Sequence, residues 1–458
     1  MLASCSNPDR QKPISLHPEN PHYFLYEDKP TILITSGEHY GAVLNQDFDY
    51  VAYLDELSKN GLNLTRTFTG AYVEPQGAFK IERNTLAPPA GKFICPWARS
   101  EEAGYANGGN KFDLTKWDEA YFARLKNFMQ EAEKRKIVVE LALFCPFYEE
   151  MQWKLSPMNS VNNINNTGPT DRLDAYTLDT SKGLLEVQEA LVRKIVGELK
   201  DYSNLIYEIC NEPYFGGVTM EWQHHIASLI QEEEKAFSQN HLISQNIAND
   251  KLKIVNPHPG VSVFNFHYAY PPTTVAQNFH LNKVIGDNET GFDGTADSTY
   301  RKEGWSFILA GGGLYNNLDY SFTAGNENGT FQYPATQPGG GTLALRQQLK
   351  HLKDFIHSFD FLKMRPDSTI VATDFALYKK AQVLAESGRQ YAIYVFGKGP
   401  FKLDLSIPAG TYHVEFMDPL TGKYEQKQNI VSDGKVSLAC PAYPEDVAVK
   451  LVAEGVSK

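Results

Sequence analysis

The chain has 458 residues with 43 Lys and Arg against 55 Asp and Glu, which gives a net charge of −12 at pH 7. This acidic balance argues against nucleic acid as a partner, because a phosphate backbone is bound by a basic surface. Hydrophobic residues make up 42% and charged residues 21%, which is typical of a folded protein and excludes extensive disorder. No apolar run approaches the ~18 residues of a membrane-spanning helix. We expect roughly two or three domains.

From about residue 30 to residue 359, short apolar runs alternate with amphipathic helical patterns, which predicts an α/β fold with a parallel sheet covered by helices. Eight such units fit a (β/α)8 TIM barrel, and the chain has no GxGxxG loop after the first strand to favour an open doubly wound sheet. The eight predicted strands are Thr31–Ser36, Leu62–Phe68, Ile137–Phe144, Leu205–Cys210, Leu242–Ile247, Val261–His267, Val284–Glu289 and Leu314–Tyr320.

Three long segments, 69–111, 146–180 and 323–341, follow the predicted strands two, three and eight. In a barrel they lie on the C-terminal face, where active sites are built. After Arg365-Pro366 the pattern changes to short alternating strands without helices, which predicts a small antiparallel β-sandwich that packs on the barrel. The predicted domains are therefore a tether over 1–20, a barrel over 21–365 and a sandwich over 366–458.

Two glutamates end predicted barrel strands. Glu212 lies in Asn211-Glu212-Pro213 after strand four, and Glu289 ends strand seven. Both would project into the mouth of the barrel, where paired carboxylates at ~5–5.5 Å can act as the acid/base and the nucleophile of a retaining glycosidase. By itself each motif also fits an ordinary strand-to-loop turn. Glu208 lies deeper on strand four, and we expect it to pair with a buried base.

Taken together, Asn211-Glu212-Pro213, Glu289 with Gly291, and the run from Gly61 to Arg66 resemble the clan A glycoside hydrolases. This group of (β/α)8 retaining enzymes includes the family 5 cellulases and mannanases, and some bacterial members carry a C-terminal β-sandwich. The resemblance implies a glycosidase that acts on a carbohydrate substrate without a cofactor or metal. It makes Glu212 the acid/base and Glu289 the nucleophile.

The same resemblance assigns the supporting residues. Asn211 would hold a sugar hydroxyl, Arg66 would keep the nucleophile ionised, and His267 and Tyr268 match the His and Tyr that the family places near the nucleophile. For Arg66 a buried ion pair with Glu208 is a compatible structural role. For His267 a role in the core is as good an expectation as a role in catalysis.

The sequence departs from the family 5 pattern at two strands. The histidine that the family has after strand three is absent, and the segment from Phe144 to Tyr148 stands there instead. The tryptophan that usually ends strand eight is also missing. We therefore also take as candidate substrate-binding residues Tyr148 and the polar clusters after strands one and eight, namely Glu38, His39, Asp319 and Tyr320. These departures leave the sugar open, and the long loops favour a walled pocket and exo action.

The aromatic content of 12% fits either a large core or stacking platforms for sugar rings. The tryptophans Trp97, Trp153 and Trp222 lie in or near the long loops and are candidates for either role. A non-catalytic carbohydrate-binding protein on the same scaffold is the main alternative. A metal-dependent hydrolase is a second one, but strand one has no HxH motif and the five scattered cysteines give no metal-ligand spacing.

The segment from Leu2 to Cys5 resembles the lipobox of bacterial lipoproteins. It predicts a lipid anchor at Cys5 and an extracytoplasmic location in a bacterium, in the periplasm or at the outer membrane. A chance match would leave a cytoplasmic location open. The oligomeric state is left open by the sequence.

Overall fold

The computed structural model describes residues 11–237, 239–375 and 380–456. Cys5 and its predicted lipid anchor lie outside the described residues. Within these ranges every helix is too short or too polar to span a bilayer.

Eight parallel strands form the barrel sheet, which confirms the predicted fold class. They are β1 Leu33–Gly37, β2 Leu64–Phe68, β3 Val138–Phe144, β4 Leu205–Cys210, β5 Leu242–Asn249, β6 Val261–His267, β7 Val284–Thr290 and β8 Leu314–Leu318. The helices are α1 Tyr50–Lys59, α2 Glu119–Lys134, α3 Glu150–Leu155, α4 Leu184–Leu199, α5 Met220–Glu234, α6 Thr273–Asn278, α7 Asp297–Leu309 and α8 Leu343–His357. Short 3₁₀ turns cover Ala78–Lys80, Arg172–Asp174, Phe279–Leu281, Phe361–Lys363 and Ser368–Ile370.

The strands pair in the order β1-β8-β7-β6-β5-β4-β3-β2. Between β1 and β2 the structure has no strand ladder in its described residues, and the side chain of Asn63 bridges the gap. Its Oδ1 accepts the backbone N–H of Ile34 at 2.8 Å, and its Nδ2 donates to the carbonyl of Ile32 at 3.0 Å. The barrel is therefore nearly closed. The helix expected between β5 and β6 is missing, and residues 250–260 form an irregular connection there instead.

A three-stranded antiparallel sheet of Ser15–Leu16, Phe24–Tyr26 and Lys29–Thr31 covers the N-terminal end of the barrel. Ile14 and Phe24 are fully buried against the first residues of the barrel strands. This packing closes the end opposite the long loops, so the barrel opens only at its C-terminal face. The sheet begins inside the segment 1–20 and continues across the predicted domain boundary, which stays a prediction.

The loop between β2 and α2 contains a β-hairpin, Trp97–Ala103 paired with Asn110–Trp117, which the sequence pattern did not indicate. Asp118 ends the hairpin and caps α2, because its carboxylate accepts the backbone N–H groups of Ala120 and Tyr121.

The C-terminal region is antiparallel, as predicted. Its strands are β9 Arg365–Pro366, β10 Lys380–Glu386, β11 Gln390–Phe396, β12 Phe401–Leu405, β13 Gly410–Met417, β14 Tyr424–Ser432, β15 Val436–Cys440 and β16 Asp446–Ala453. A six-stranded sheet, β9-β10-β11-β16-β13-β14, buries one face against the pair β12-β15. Its other face packs on the barrel, where Tyr394 stacks on Trp305 of α7 at 5.3 Å and Arg301 pairs with Asp446 at 2.9 Å.

Candidate active site

The C-terminal ends of the barrel strands surround a cavity of about 390 Å³, near the lower end of the ~300–1,000 Å³ usual for ligand sites. Asn211 and Glu212 follow the last residue of β4, and Glu289 lies in β7. The lining residues are His39, Tyr40, Phe68, Tyr72, Glu74, Phe79, Leu86, Cys145, Tyr148, Asn211, Glu212, Phe215, Asn249, Tyr268, Glu289 and Phe292.

The carboxylate of Glu289 is held by three donors. The hydroxyl of Tyr40 donates to Oε2 at 2.8 Å, the hydroxyl of Tyr268 donates to Oε1 at 2.7 Å, and Nη1 of Arg66 lies 3.3 Å from Oε2. Together these donors occupy acceptor positions on both carboxylate oxygens. The side chain is only 6% exposed, so its direction is fixed by these contacts.

Glu212 faces Glu289 across the cavity. Tyr148 donates its hydroxyl to Oε2 of Glu212 at 2.5 Å, and Nδ1 of His267 lies 3.1 Å from Oε1. One carboxylate oxygen of each glutamate and a ring nitrogen of His267 all lie within 4.8 Å of one another. A single bound bond can therefore be reached by both carboxylates.

Arg66 of β2 organises the floor of the cavity. Its guanidinium binds Glu208 through two contacts, Nε to Oε2 at 2.6 Å and Nη2 to Oε1 at 2.8 Å. Nη2 also donates to Oδ1 of Asn211 at 2.6 Å. Arg66 thus forms the expected ion pair with Glu208 and also contacts Glu289, so the structural and the functional interpretation of this residue are compatible.

Beneath this floor, Glu140 of β3 accepts hydrogen bonds from Ser244 at 2.7 Å, Asn265 at 2.7 Å and Asn288 at 2.9 Å. Burial, followed by the charge of Glu208, raises the pKa of Glu140. The barrel interior below the cavity is therefore a polar, hydrogen-bonded layer, which supports Arg66 from below.

His267 and Glu212 share a proton. Burial alone lowers the pKa of His267, but the carboxylates of Glu289 and Glu212 outweigh burial and raise it. Burial alone raises the pKa of Glu212, and the hydrogen bond and charge of His267 outweigh burial and lower it. In the free protein the pair therefore favours a protonated imidazole beside an ionised carboxylate.

Three residues of the site have backbone dihedrals in the left-handed region: Tyr40 with φ 61°, Glu212 with φ 35° and Tyr268 with φ 52°. A non-glycine residue in this region costs about 1–3 kcal/mol. Each of the three follows or closely follows the end of a barrel strand, and each directs a side chain onto a carboxylate or is itself that carboxylate. The strain is therefore concentrated where the two carboxylates are aligned.

Tyr148 occupies the region where the family pattern has its strand-three histidine. Its hydroxyl accepts from Nδ2 of Asn211 at 2.8 Å and donates to Glu212, so it connects these two neighbours. The thiol of Cys145 lies beside it, 3.8 Å from the hydroxyl oxygen.

Glu38 and Asp319, two predicted substrate-binding residues, do not line the cavity. Glu38 accepts the backbone N–H groups of Gly41 at 2.9 Å and Ala42 at 3.0 Å, and burial raises its pKa to about 7. Asp319 pairs with Arg346 at 2.6 Å and is fully buried. Through these contacts both residues stabilise the loops after β1 and β8 on the side away from the cavity.

The other two predicted residues of these loops differ. His39 lines the cavity, whereas Tyr320 stands behind it, with its ring 5.6 Å from that of His39. The three tryptophans are at most 2% exposed and line no part of this cavity, and Trp222 donates to Gln188 within the fold.

Aromatic side chains form much of the wall. Three of them, Phe79, Phe215 and Phe292, are 37–43% exposed at the rim. Phe79 and Phe292, together with Glu74 and Asn249, were not among the residues chosen from the sequence. Phe79, Phe292 and Glu74 lie in loops without a periodic pattern, and Asn249 is the last residue of β5, so no signal in the chain separated these residues from their neighbours.

Within the described part of the chain, Glu212, His267 and Glu289 are the only group of three possible metal ligands. The guanidinium of Arg66 already stands 3.3 Å from Glu289. A divalent cation at this position would be repelled by that charge, so the donor set favours carboxylate chemistry over metal binding.

Comparison with known proteins then decides the family. The model of the cellulase family, glycosyl hydrolase family 5, matches residues 50–311, which is more than half of the chain. The chain belongs to glycosyl hydrolase family 5. It is therefore a glycosidase. A search of the curated proteins finds no match.

Solved structures agree on the fold of this family 5 glycosidase. A protein described as a glycoside hydrolase is 15% identical with a TM-score of 0.67, and the match covers 97% of this chain and 98% of the other. A glycoside hydrolase family 5 structure from Bacteroides vulgatus is 14% identical with a TM-score of 0.67, covering 97% and 94%. A family 5 mannosidase from Rhizomucor miehei is 11% identical with a TM-score of 0.51, covering 75% and 97%.

Proposed function

We propose that this glycosidase hydrolyses O-glycosidic bonds of an oligo- or polysaccharide with retention, by double displacement. The observation that carries the proposal is the approach of Glu212 and Glu289, whose nearest oxygens lie within 4.8 Å. Retaining enzymes need carboxyl groups ~5–5.5 Å apart, whereas inverting enzymes leave room for a water with a separation of ~6.5–9.5 Å.

Glu289 is proposed as the nucleophile. Arg66, Tyr40 and Tyr268 each donate to its carboxylate and so hold its oxygens in position to attack the anomeric carbon. The attack forms a covalent glycosyl-enzyme and neutralises the charge of Glu289. The three donors keep the carboxylate aligned before the sugar arrives, which lowers the entropic cost of the step.

Glu212 is proposed as the acid and then the base. The proton that the leaving oxygen needs lies in the hydrogen bond between His267 and Glu212, and sugar binding beside Glu212 excludes water and favours the neutral acid. Once Glu289 is esterified, its negative charge no longer opposes ionisation of Glu212. Glu212 can then accept a proton from the water that releases the sugar.

The test uses the variants Glu289→Gln and Glu212→Gln with Glu101→Gln, at an exposed acid of the hairpin of residues 97–117, as the matched control. A panel of 4-nitrophenyl glycosides of both anomers and of gluco- and manno-oligosaccharides identifies a substrate of the unmodified protein. We expect kcat to fall at least 10³-fold in both site variants and to stay unchanged in the control.

NMR of the first product should show the anomer of the substrate. Undiminished turnover in either site variant, or an inverted product, contradicts the proposal. Carbohydrate binding without turnover by the unmodified protein would instead favour the non-catalytic alternative.

A further inference from the structure

Two loops that bind each other lie beside the cavity, and the first of them, after β2, lines it with Glu74, Phe79 and Leu86. Nη2 of Arg83, in the loop after β2, donates to the carbonyl of Ala324, in the loop after β8, at 2.6 Å. The backbone N–H of Glu82 donates to Oε1 of Gln337 at 3.1 Å. The guanidinium of Arg83 also lies 5.3 Å from the centre of the Phe331 ring. These contacts form a continuous wall beside β8, β1 and β2.

Phe79 extends from this wall over the cavity. Its ring lies 5.5 Å from that of Tyr148 and 6.3 Å from that of Phe292, both edge to face. Its φ of 53° is in the left-handed region, which a bulky residue occupies only when the surrounding structure holds it there. The surrounding loop therefore holds Phe79 in place over the cavity.

Two buried polar groups face the closed end. Glu74 is 4% exposed and lines the cavity. Tyr72 donates to one of its oxygens at 3.0 Å and Asn84 donates to the other. A carboxylate has about four acceptor sites, so these two bonds leave acceptor capacity on the cavity side.

His39 also lines the cavity and is 8% exposed, and its Nδ1 has no hydrogen-bond partner among the described residues. That nitrogen is enclosed by the protein, so the imidazole presents the cavity with its other edge, which carries the second ring nitrogen.

We propose that Glu74 and His39 bind hydroxyl groups of the terminal sugar of a neutral glycan, and that the enzyme therefore removes units from a chain end. This inference rests on the proposed function. In this proposal the joined loops and Phe79 close the cavity beyond Glu74 to further sugar units. Glu74 is the specificity-determining residue, because a site built to bind a hydroxyl is left with an unmatched buried group when that hydroxyl is absent.

The closed end is the end that receives the unit attacked by Glu289. Protonation by Glu212 places the leaving group on the side of Glu212, where the neighbouring Phe215 is 43% exposed and Asn249 is partly exposed. Glu74 and His39 come from the β2 and β1 loops, on the other side of the cavity. The remainder of the glycan therefore leaves toward the open rim beside Phe215.

The charges of the cavity argue for a neutral terminal unit. Three carboxylates, Glu74, Glu212 and Glu289, line the cavity, whereas the arginine that contacts Glu289, Arg66, is already paired with Glu208. A uronate placed at Glu74 would bring two carboxylates together in a buried site, which is strongly unfavourable.

The first test uses the unmodified enzyme with cellopentaose and mannopentaose, each free and with its non-reducing end blocked by a 4,6-benzylidene group. We expect chromatography to show loss of one terminal unit at a time from the free oligosaccharide, and at least a 100-fold lower rate on the blocked form. Equal rates on both forms, or internal products at early times, overturn the inference while leaving the glycosidase proposal intact.

The second test compares Glu74→Gln with Glu101→Gln, a variant at an exposed acid of the hairpin of residues 97–117, on 4-nitrophenyl glycosides and their monodeoxy analogues. We expect kcat/KM of Glu74→Gln to fall about 10- to 100-fold on the parent glycoside. On the analogue that lacks the bound hydroxyl, Glu74→Gln and the unmodified enzyme should have similar kcat/KM values. If the role of Glu74 were purely structural, the substitution would lower kcat/KM by the same factor for all substrates.

Thermal unfolding of the Glu74 variant checks that the fold is kept. If Glu74→Gln lowers every analogue by the same factor, the inference fails even when the variant is folded. If the unmodified enzyme cleaves no glycoside in the panel, the proposed function itself fails, and this outcome is distinct from cleavage that ignores the blocked chain end.

Discussion

Replacing Arg66 with methionine separates the stability of the barrel from the chemistry of the site. The change keeps an apolar stem but removes both contacts to Glu208, whose side chain is fully buried. Breaking a buried ion pair by removing one partner costs ~3–5 kcal/mol, a large share of a typical total of ~5–15 kcal/mol. We expect Arg66→Met to lower the free energy of unfolding by about this amount.

The double variant Arg66→Met with Glu208→Gln removes the unpaired charge as well, so we expect it to regain most of the lost stability. Catalysis should not recover, because Glu289 and Asn211 still lack the guanidinium. Each hydrogen bond to a charged group is worth ~1.5–3 kcal/mol, and the two contacts to Glu289 and Asn211 are lost together, so kcat/KM should stay at least ~100-fold below that of the unmodified enzyme.

Denaturant unfolding and steady-state kinetics on one aryl glycoside measure the two effects, with Glu208→Gln alone as the control for the lost carboxylate. Full activity in the double variant would show that Arg66 acts only through stability. An Arg66→Met protein as stable as the unmodified one would show that Glu208 carries no buried charge.

Two further predictions concern a buried acid and the tyrosine beside Glu212. Burial raises the pKa of Glu303 to about 8 from 4.5, so the folded state keeps a proton that the unfolded chain releases, and stability falls as pH rises from 4.5 to 8. The free energy of unfolding of Glu303→Gln, measured against that of the unmodified protein by denaturant unfolding, should therefore increase by up to about 4–5 kcal/mol between pH 4 and pH 9. A difference that does not change with pH contradicts this. Tyr148→Phe removes the hydroxyl that joins Asn211 to Glu212, so kcat should fall about 10- to 100-fold with little change in the melting temperature; unchanged kcat would contradict the role of this hydroxyl.

The sequence was sufficient for the barrel because its strands carry their own signal. Val138–Phe144 and Leu205–Cys210 are buried along their whole length, as continuous apolar runs predict for a parallel sheet. It was insufficient between β5 and β6, where no helix forms, and in the β2 loop, where the hairpin of residues 97–117 has no alternating apolar pattern. Apolar periodicity in the sequence predicts helices and strands that bury one face. The conformation of these two segments is instead set by contacts with other parts of the chain.

The site shows the same division. Glu212 and Glu289 were found because strand order and strand ends place them at one face of a barrel. Glu38 was chosen by the same argument, but the turn after β1 directs its carboxylate back onto the N–H groups of Gly41 and Ala42. Glu74 was missed, since its position depends on contacts between loops that are far apart in sequence.

The left-handed backbone at Tyr40, Glu212 and Tyr268 explains why chain position alone does not give the geometry of the site. In regular strand geometry, successive side chains alternate between the two faces of the sheet. A left-handed residue just past the strand end breaks this alternation and turns its own side chain inward. The polar layer below, from Glu140 to Arg66, supplies the fixed surface onto which these turned side chains close. The alignment of the two carboxylates is thus a property of the assembled barrel, in which backbone strain at three strand ends is balanced by hydrogen bonds that only the folded state can form.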